Sequence, residues 1–172
     1  MIDRLPPTER FDSLRGWFFY DLYNQMIRDE RIYAITADLG WGGFDKIKRD
    51  MPDRFINVGA AEITGLGVSV GLAESGKIPV FYSITTFGLY RGFEVIRNYI
   101  NHEQIPVKLA LSGRDKDYVH DGFSHWSEDA KSILTVAFPN IVQYWPDAKE
   151  EIPDQLNEML NNGKPSFMSL KR

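Results

Sequence analysis

RFINVGAAEITGLGVSVGLAESGKIPVFYSI, residues 54–84, decides the fold class. The run FINV is short and apolar and ends on Gly59. Residues from about Glu62 to Glu74 are small and apolar with helical character. IPVFYSI (78–84) is then a continuous β-branched and aromatic run. Strand, turn, helix, strand is a β-α-β unit, and strands with no polar alternation suit a parallel sheet covered on both faces.

The same rhythm extends in both directions. Upstream, DSLRGWFFYDLYNQMIRD (12–29) spaces Leu14, Phe18, Leu22 and Met26 four apart, which predicts a buried-face helix. IYAITA (32–37) predicts a strand and FDKIKRDM a short helix. Downstream, a helix is expected over about 89–102, a strand at IPVKLALS (105–112), a helix over about 127–137, a strand at NIVQYW (140–145), a helix over about 147–162 and a last strand at SFMSLK (166–171). The expectation is a three-layer α/β/α domain around a mostly parallel six-stranded sheet. It is expected to occupy residues 1–172 as one domain, with residues 1–11 as a leader.

Composition narrows the function classes. The chain has 172 residues, 43% of them hydrophobic, enough for a real core. Twenty basic residues against 24 acidic give a net charge of −4, so no field favours nucleic acid or an anionic membrane surface. No apolar run reaches the roughly 20 residues of a membrane helix, and MIDRLPPTER carries charges where a signal peptide is apolar. With no cysteine and three histidines, disulfides and thiolate chemistry are excluded, and a multi-histidine metal site would need nearly every histidine. A cytoplasmic protein is expected.

Open parallel sheets bind ligands at the carboxyl ends of their strands, so chemistry is sought in the loops at 38–43, 59–62, 85–93 and 112–126. GLGVSVG (65–71) lies inside a helix and has the wrong spacing for a dinucleotide fingerprint. Its small residues instead predict a helix lying close on the sheet or on another subunit. Glu62 comes directly off a strand after two alanines. Burial favours its neutral form and the first turn of a helix favours the anion, and an acidic partner for that helix is the ordinary reading. Phe87, Tyr90 and Phe93 recur every three residues, which predicts one aromatic face, in the core or beside a ligand. Asp121 and His125 stand four apart in a polar loop, a donor and acceptor pair for a hydroxylated substrate or simply a solvated turn.

Taken in order, INVGAAE, TTFGLYRGF, VHDGFSHW and FPNIVQYWP, with TADLG at 36–40, resemble the pyrimidine-binding domain of transketolases and related thiamine diphosphate enzymes. The resemblance runs from about Leu14 to Arg172. It implies the thiamine diphosphate-binding fold of the pyrimidine type. It implies that Glu62 hydrogen-bonds the ring nitrogen of the cofactor's aminopyrimidine, and that Phe87, Tyr90 and Phe93 surround that ring. Asp38 would join the cofactor-binding set. Asp121 and His125 would contact substrate hydroxyls, and Arg172 and Arg15 would hold a sugar phosphate. Gly113 stands where many members place a further histidine.

A Gly-Asp-Gly phrase followed by asparagine, which holds diphosphate and Mg2+ in the family, is missing from the sequence. The resemblance therefore implies a separate diphosphate-binding, N-terminal-type transketolase subunit that carries the Mg2+, with self-association and a heterotetramer around shared thiamine diphosphate. The implied activity is transfer of a two-carbon ketol unit between small sugars or sugar phosphates. The alternatives are a 1-deoxyxylulose-5-phosphate synthase-like or 2-oxoacid dehydrogenase-like subunit, or a non-catalytic interaction protein of the same fold.

Overall fold

Apolar runs that are buried on both faces must send alternate side chains into two separate cores. In the computed structural model, which describes residues 11–172, they do so. The strands are β1 (Ile32–Thr36), β2 (Phe55–Asn57), β3 (Ile78–Ile84), β4 (Lys108–Ser112), β5 (Val142–Tyr144) and β6 (Ser166–Leu170). They form one sheet in the order β2-β1-β3-β4-β6-β5. Every pairing is parallel, so the sheet is all-parallel rather than mostly so.

The register explains the two cores. Ile35, Phe81, Leu109 and Phe167 are cross-strand partners and belong to one core. One residue further along the strands, Tyr82, Ala110 and Met168 point into the other. Helices α1 (Leu14–Arg28), α2 (Asp45–Asp50) and α6 (Ile152–Asn161) cover this second face. Helices α3 (Glu62–Glu74) and α5 (Ala130–Ala137), with the helical segment after β3, cover the first. Phe18, Leu22 and Met26 of α1 are fully buried at the predicted fourfold spacing. Each contributes roughly 1.5–3 kcal/mol through burial. Ser13 caps this helix, its Oγ accepting the Gly16 N–H at 3.0 Å. The leader expected over 1–11 lies, apart from Phe11, outside the described residues.

Two local features differ from expectation. The helix after β3 begins before Leu89. It runs through a π-helical turn (Phe87–Arg91), a short α4 (Phe93–Val95) and a second π-helical turn (Ile96–His102). Of the small residues in the run 65–71, Gly65 and Ser69 are buried against the sheet. A Cβ on Gly65 would lie 2.5 Å from Phe81, whereas Cβ atoms on Gly67 and Gly71 would meet nothing within 4 Å. Close helix-on-sheet packing therefore explains half of the run.

The chain reverses its direction of travel across the sheet between β1 and β3, so the carboxyl ends of these strands form the crevice where ligands bind in open α/β sheets. Among the described residues no helix is long and apolar enough to cross a membrane.

Candidate active site

Asn57 ends β2, and its Oδ1 accepts the N–H groups of both Asp38 and Gly59, each at 3.0 Å. This ties the loop after β1 to the loop after β2 and steers the chain into α3. Glu62 is the first residue of that helix and is 3% exposed. A buried carboxylate needs a partner, and Arg91 supplies it: one guanidinium nitrogen donates to Glu62 Oε1 at 3.0 Å and Oε2 at 2.8 Å. The Arg91 guanidinium also lies over the Phe87 ring, 4.0 Å from its centroid.

The contacts continue from there. Phe87 meets the His125 ring edge-on at 4.8 Å, and His125 meets Tyr118 at 6.0 Å. The Tyr118 hydroxyl is 2.9 Å from Ser112 Oγ and accepts from Arg15 Nη1 at 3.5 Å, while Arg172 lies over the Tyr118 ring at 5.4 Å. Glu62, Phe87, His125, Arg15 and Arg172 are thus brought into one band along the carboxyl edge of the sheet, joined through Arg91 and Tyr118. Below the band, burial pushes the Tyr82 phenol up.

The structure does not gather every candidate. Phe87, Tyr90 and Phe93 do not form one aromatic face, because wide π-helical turns fan a three-residue spacing apart. Tyr90 donates to Asp129, the residue preceding α5, and burial pushes its phenol up. Phe93 packs on Phe138 at 4.9 Å, on the α5 side of the core. Asp121 and His125 lie in separate 3-10 turns, Val119–Asp121 and Phe123–His125. Asp121 is exposed while His125 contacts Phe87, and the two side chains share no hydrogen bond among the described residues. Asp38 is exposed beside Asn57, at the β2 side of the crevice.

Three residues escaped the sequence reading. Arg91 lies within TTFGLYRGF, where the spacing argument takes up only the aromatics. Tyr118 and Arg114 sit in RDKDYVHDG, whose charges suggest a solvated loop. Arg114 is instead buried, donating to Ser169 Oγ (3.0 Å), Ser169 O (2.8 Å), Pro146 O (2.8 Å) and Asp147 (2.8 Å). Asp117 accepts the N–H of Arg114 at 3.0 Å and that of Arg172 at 2.8 Å. These contacts fasten the loop carrying Tyr118 to the ends of β5 and β6. Among the described residues no group of three or more His, Asp or Glu side chains could hold a metal ion.

Residues 21–172 match the family model of the transketolase pyrimidine-binding domain. The chain belongs to this family. Its members are thiamine diphosphate enzymes. The chain is 32% identical over 145 residues to a 1-deoxy-D-xylulose-5-phosphate synthase of Symbiobacterium thermophilum, covering 84% of this chain and 22% of that protein. It is 30% identical over 146 residues to the 6-deoxy-6-sulfo-D-fructose transketolase subunit of Clostridium sp., covering 84% of this chain and 45% of that one. A solved split-gene transketolase, described as an inactive beta4 tetramer, superposes with a TM-score of 0.82 at 25% identity, over 93% of this chain and 51% of that chain. This pyrimidine-binding domain thus spans less than half the length of the two curated relatives.

The residues present fit the aminopyrimidine half of the cofactor. Glu62 offers a buried carboxylate, and Phe87 a partly exposed flat ring reached through Arg91.

Proposed function

We propose that this chain is the pyrimidine-binding subunit of a split transketolase-like enzyme that moves a two-carbon ketol unit between sugars, active with a separate diphosphate-binding and Mg2+-binding subunit. The observation that carries the reading is Glu62: a carboxylate 3% exposed, at the first turn of α3 and the mouth of the crevice. Thiamine diphosphate, when bound, supplies the nucleophilic carbon that carries the ketol unit.

This chain's residues do the rest. Glu62, itself 3% exposed, would hold a proton toward a ring nitrogen of the cofactor, where burial of the carboxylate strengthens a hydrogen bond to it. Phe87 gives the ring a flat apolar face. His125, resting on Phe87 and Tyr118, presents a ring nitrogen to substrate hydroxyls. Asp121, from its exposed turn, joins it at the substrate. Arg15 and Arg172, both at Tyr118, form the cationic end of the band and take an anionic substrate group. Tyr90 and Asp38 serve the cofactor pocket from its margins, while Phe93, packed on Phe138, braces the α5 side of the core. A 1-deoxyxylulose-5-phosphate synthase-like reaction is the second reading, favoured by the similarity to the Symbiobacterium protein.

The test is calorimetry of thiamine diphosphate with Mg2+, on the chain alone and mixed with the diphosphate-binding subunit. Binding in the mixture, lost in Glu62→Ala, supports the proposal. Equal binding by wild type and Glu62→Ala refutes it.

A further inference from the structure

The Glu62–Arg91 pair presents a conflict that the function just proposed has to resolve, and the inference rests on that reading. A single Arg91 nitrogen spans both oxygens of Glu62, at 3.0 and 2.8 Å, so each oxygen already has a strong donor. A ring nitrogen that shares a proton with Glu62 needs one of those oxygens. Each oxygen keeps a second lone pair, but the carboxylate is only 3% exposed, so Arg91 and the ring compete for the little of its surface that is open.

The two residues differ in their freedom to move. Glu62 is 3% exposed and fixed at the start of a helix packed against the sheet. The Arg91 side chain is 48% exposed and reaches the carboxylate from a π-helical turn. Its guanidinium carbon lies 4.0 Å from the Phe87 ring centroid, so it can shift across the ring while keeping a cation–π contact.

We infer that Arg91 is the resident counter-ion of Glu62 in the free chain and is exchanged for the cofactor ring when that ring binds. Arg91 is then a positioning residue. It satisfies a buried carboxylate that would otherwise be unpaired, keeps it rotated toward the crevice, and withdraws along Phe87 on exchange. The proton balance follows. In the ion pair Glu62 carries no proton. In the exchanged state one proton lies between the carboxylate and the ring nitrogen, and that proton comes from the solvent. Binding therefore takes up one proton, and the cation released from Glu62 remains on the protein.

Two measurements test the exchange. The first uses the chain alone with no ligand, comparing the unfolding equilibria of wild type, Glu62→Gln, Arg91→Met and the double variant. Arg91→Met is expected to raise the unfolding constant about tenfold, since it strands a buried carboxylate, and the double variant should recover most of that loss. Additive effects would overturn the pairing.

The second is calorimetry of thiamine diphosphate and Mg2+ on the chain with its diphosphate-binding subunit, in two buffers of different ionisation enthalpy. Wild type and Arg91→Lys should take up about one proton per cofactor. Arg91→Met should bind at least as tightly and take up clearly less, because an unpaired buried carboxylate takes its proton beforehand. Unchanged uptake in Arg91→Met would overturn the exchange, as would loss of binding that Arg91→Lys restores, which would make Arg91 a direct cofactor contact. If Glu62→Gln binds as wild type does, the role proposed for Glu62 fails as well. If Glu62→Gln weakens binding while Arg91→Met leaves uptake unchanged, only the exchange fails.

Discussion

Tyr118 lies across Gly113 so closely that a Cβ built on the glycine would sit 2.3 Å from Tyr118 Cε2. Gly113 also has φ +88, a conformation that side chains of L residues rarely adopt. A side chain at Gly113 has no room, because this chain fills the position with a ring from further along the same loop. Gly113→Ala should therefore cost stability by about 1–3 kcal/mol. It should also shift the ring resonances of Tyr118 and His125. Thermal unfolding with proton spectra of the aromatic region checks both, and an unperturbed Tyr118 would contradict the packing.

Arg114 fastens the same loop from below. Its fork makes four hydrogen bonds at the ends of β5 and β6, and Lys171 and Arg114 hold the Asp147 carboxyl below the usual carboxylate range. Arg114→Lys keeps the charge but cannot reproduce the fork. A loss of about 3 kcal/mol or more is expected for Arg114→Met, with Arg114→Lys recovering less than half. Asp147→Asn should cost far less, since Asp147 is 75% exposed. Urea denaturation of the three variants decides it. A lysine variant as stable as wild type would show that the charge alone matters.

Arg114 also shows why part of the site was hidden. The fold class was legible because strands such as IPVFYSI are apolar throughout, a pattern tied to chain-local burial on two faces. Glu62 was legible because it follows a strand directly and opens a helix. Its partner was not: Arg91 is 29 residues away and reaches it only because the chain makes a π-helical turn, which no local propensity signals. The charges of RDKDY look solvated in sequence, and only the tertiary fold reveals that Arg114 satisfies carbonyls of two other strand ends. The aromatic triplet misled for the related reason that three-residue spacing gives one face only on a regular helix.

Lys108, at the start of central strand β4, is 1% exposed and donates to Asn162 Oδ1 at 2.8 Å and Lys164 O at 2.6 Å. Burial pulls its ammonium down from 10.5 to about 8. An unfolded lysine keeps its proton up to 10.5, so between these values the unfolded state binds more protons and stability rises with pH. The penalty is fully present below pH 8 and is relieved as pH climbs toward 10.5. Wild type should gain up to about 3 kcal/mol on Lys108→Met across that window. Paired denaturation curves at pH 7.5 and 10 test this, and a constant difference between the two proteins would rule it out.

Phe87 and Phe93 share a segment and a spacing, yet the structure gives them separate duties. Phe93 is 38% exposed and leans on fully buried Phe138 at 4.9 Å, so its ring works for the α5 side of the core. Phe87 instead carries the Arg91 guanidinium on its face and the His125 ring at its edge. Phe93→Ala should lower stability by about 1–2 kcal/mol, less than a fully buried phenylalanine would, and leave cofactor affinity in the reconstituted complex unchanged. Phe87→Ala should have the reverse profile: a smaller loss of stability and a several-fold weaker binding of thiamine diphosphate, in line with the ~0.5–1.5 kcal/mol of an aromatic contact. Melting temperatures and calorimetric affinities for the two variants separate the duties. Parallel losses in both would mean that the π-helical turns act as one unit and that the two rings cannot be assigned apart.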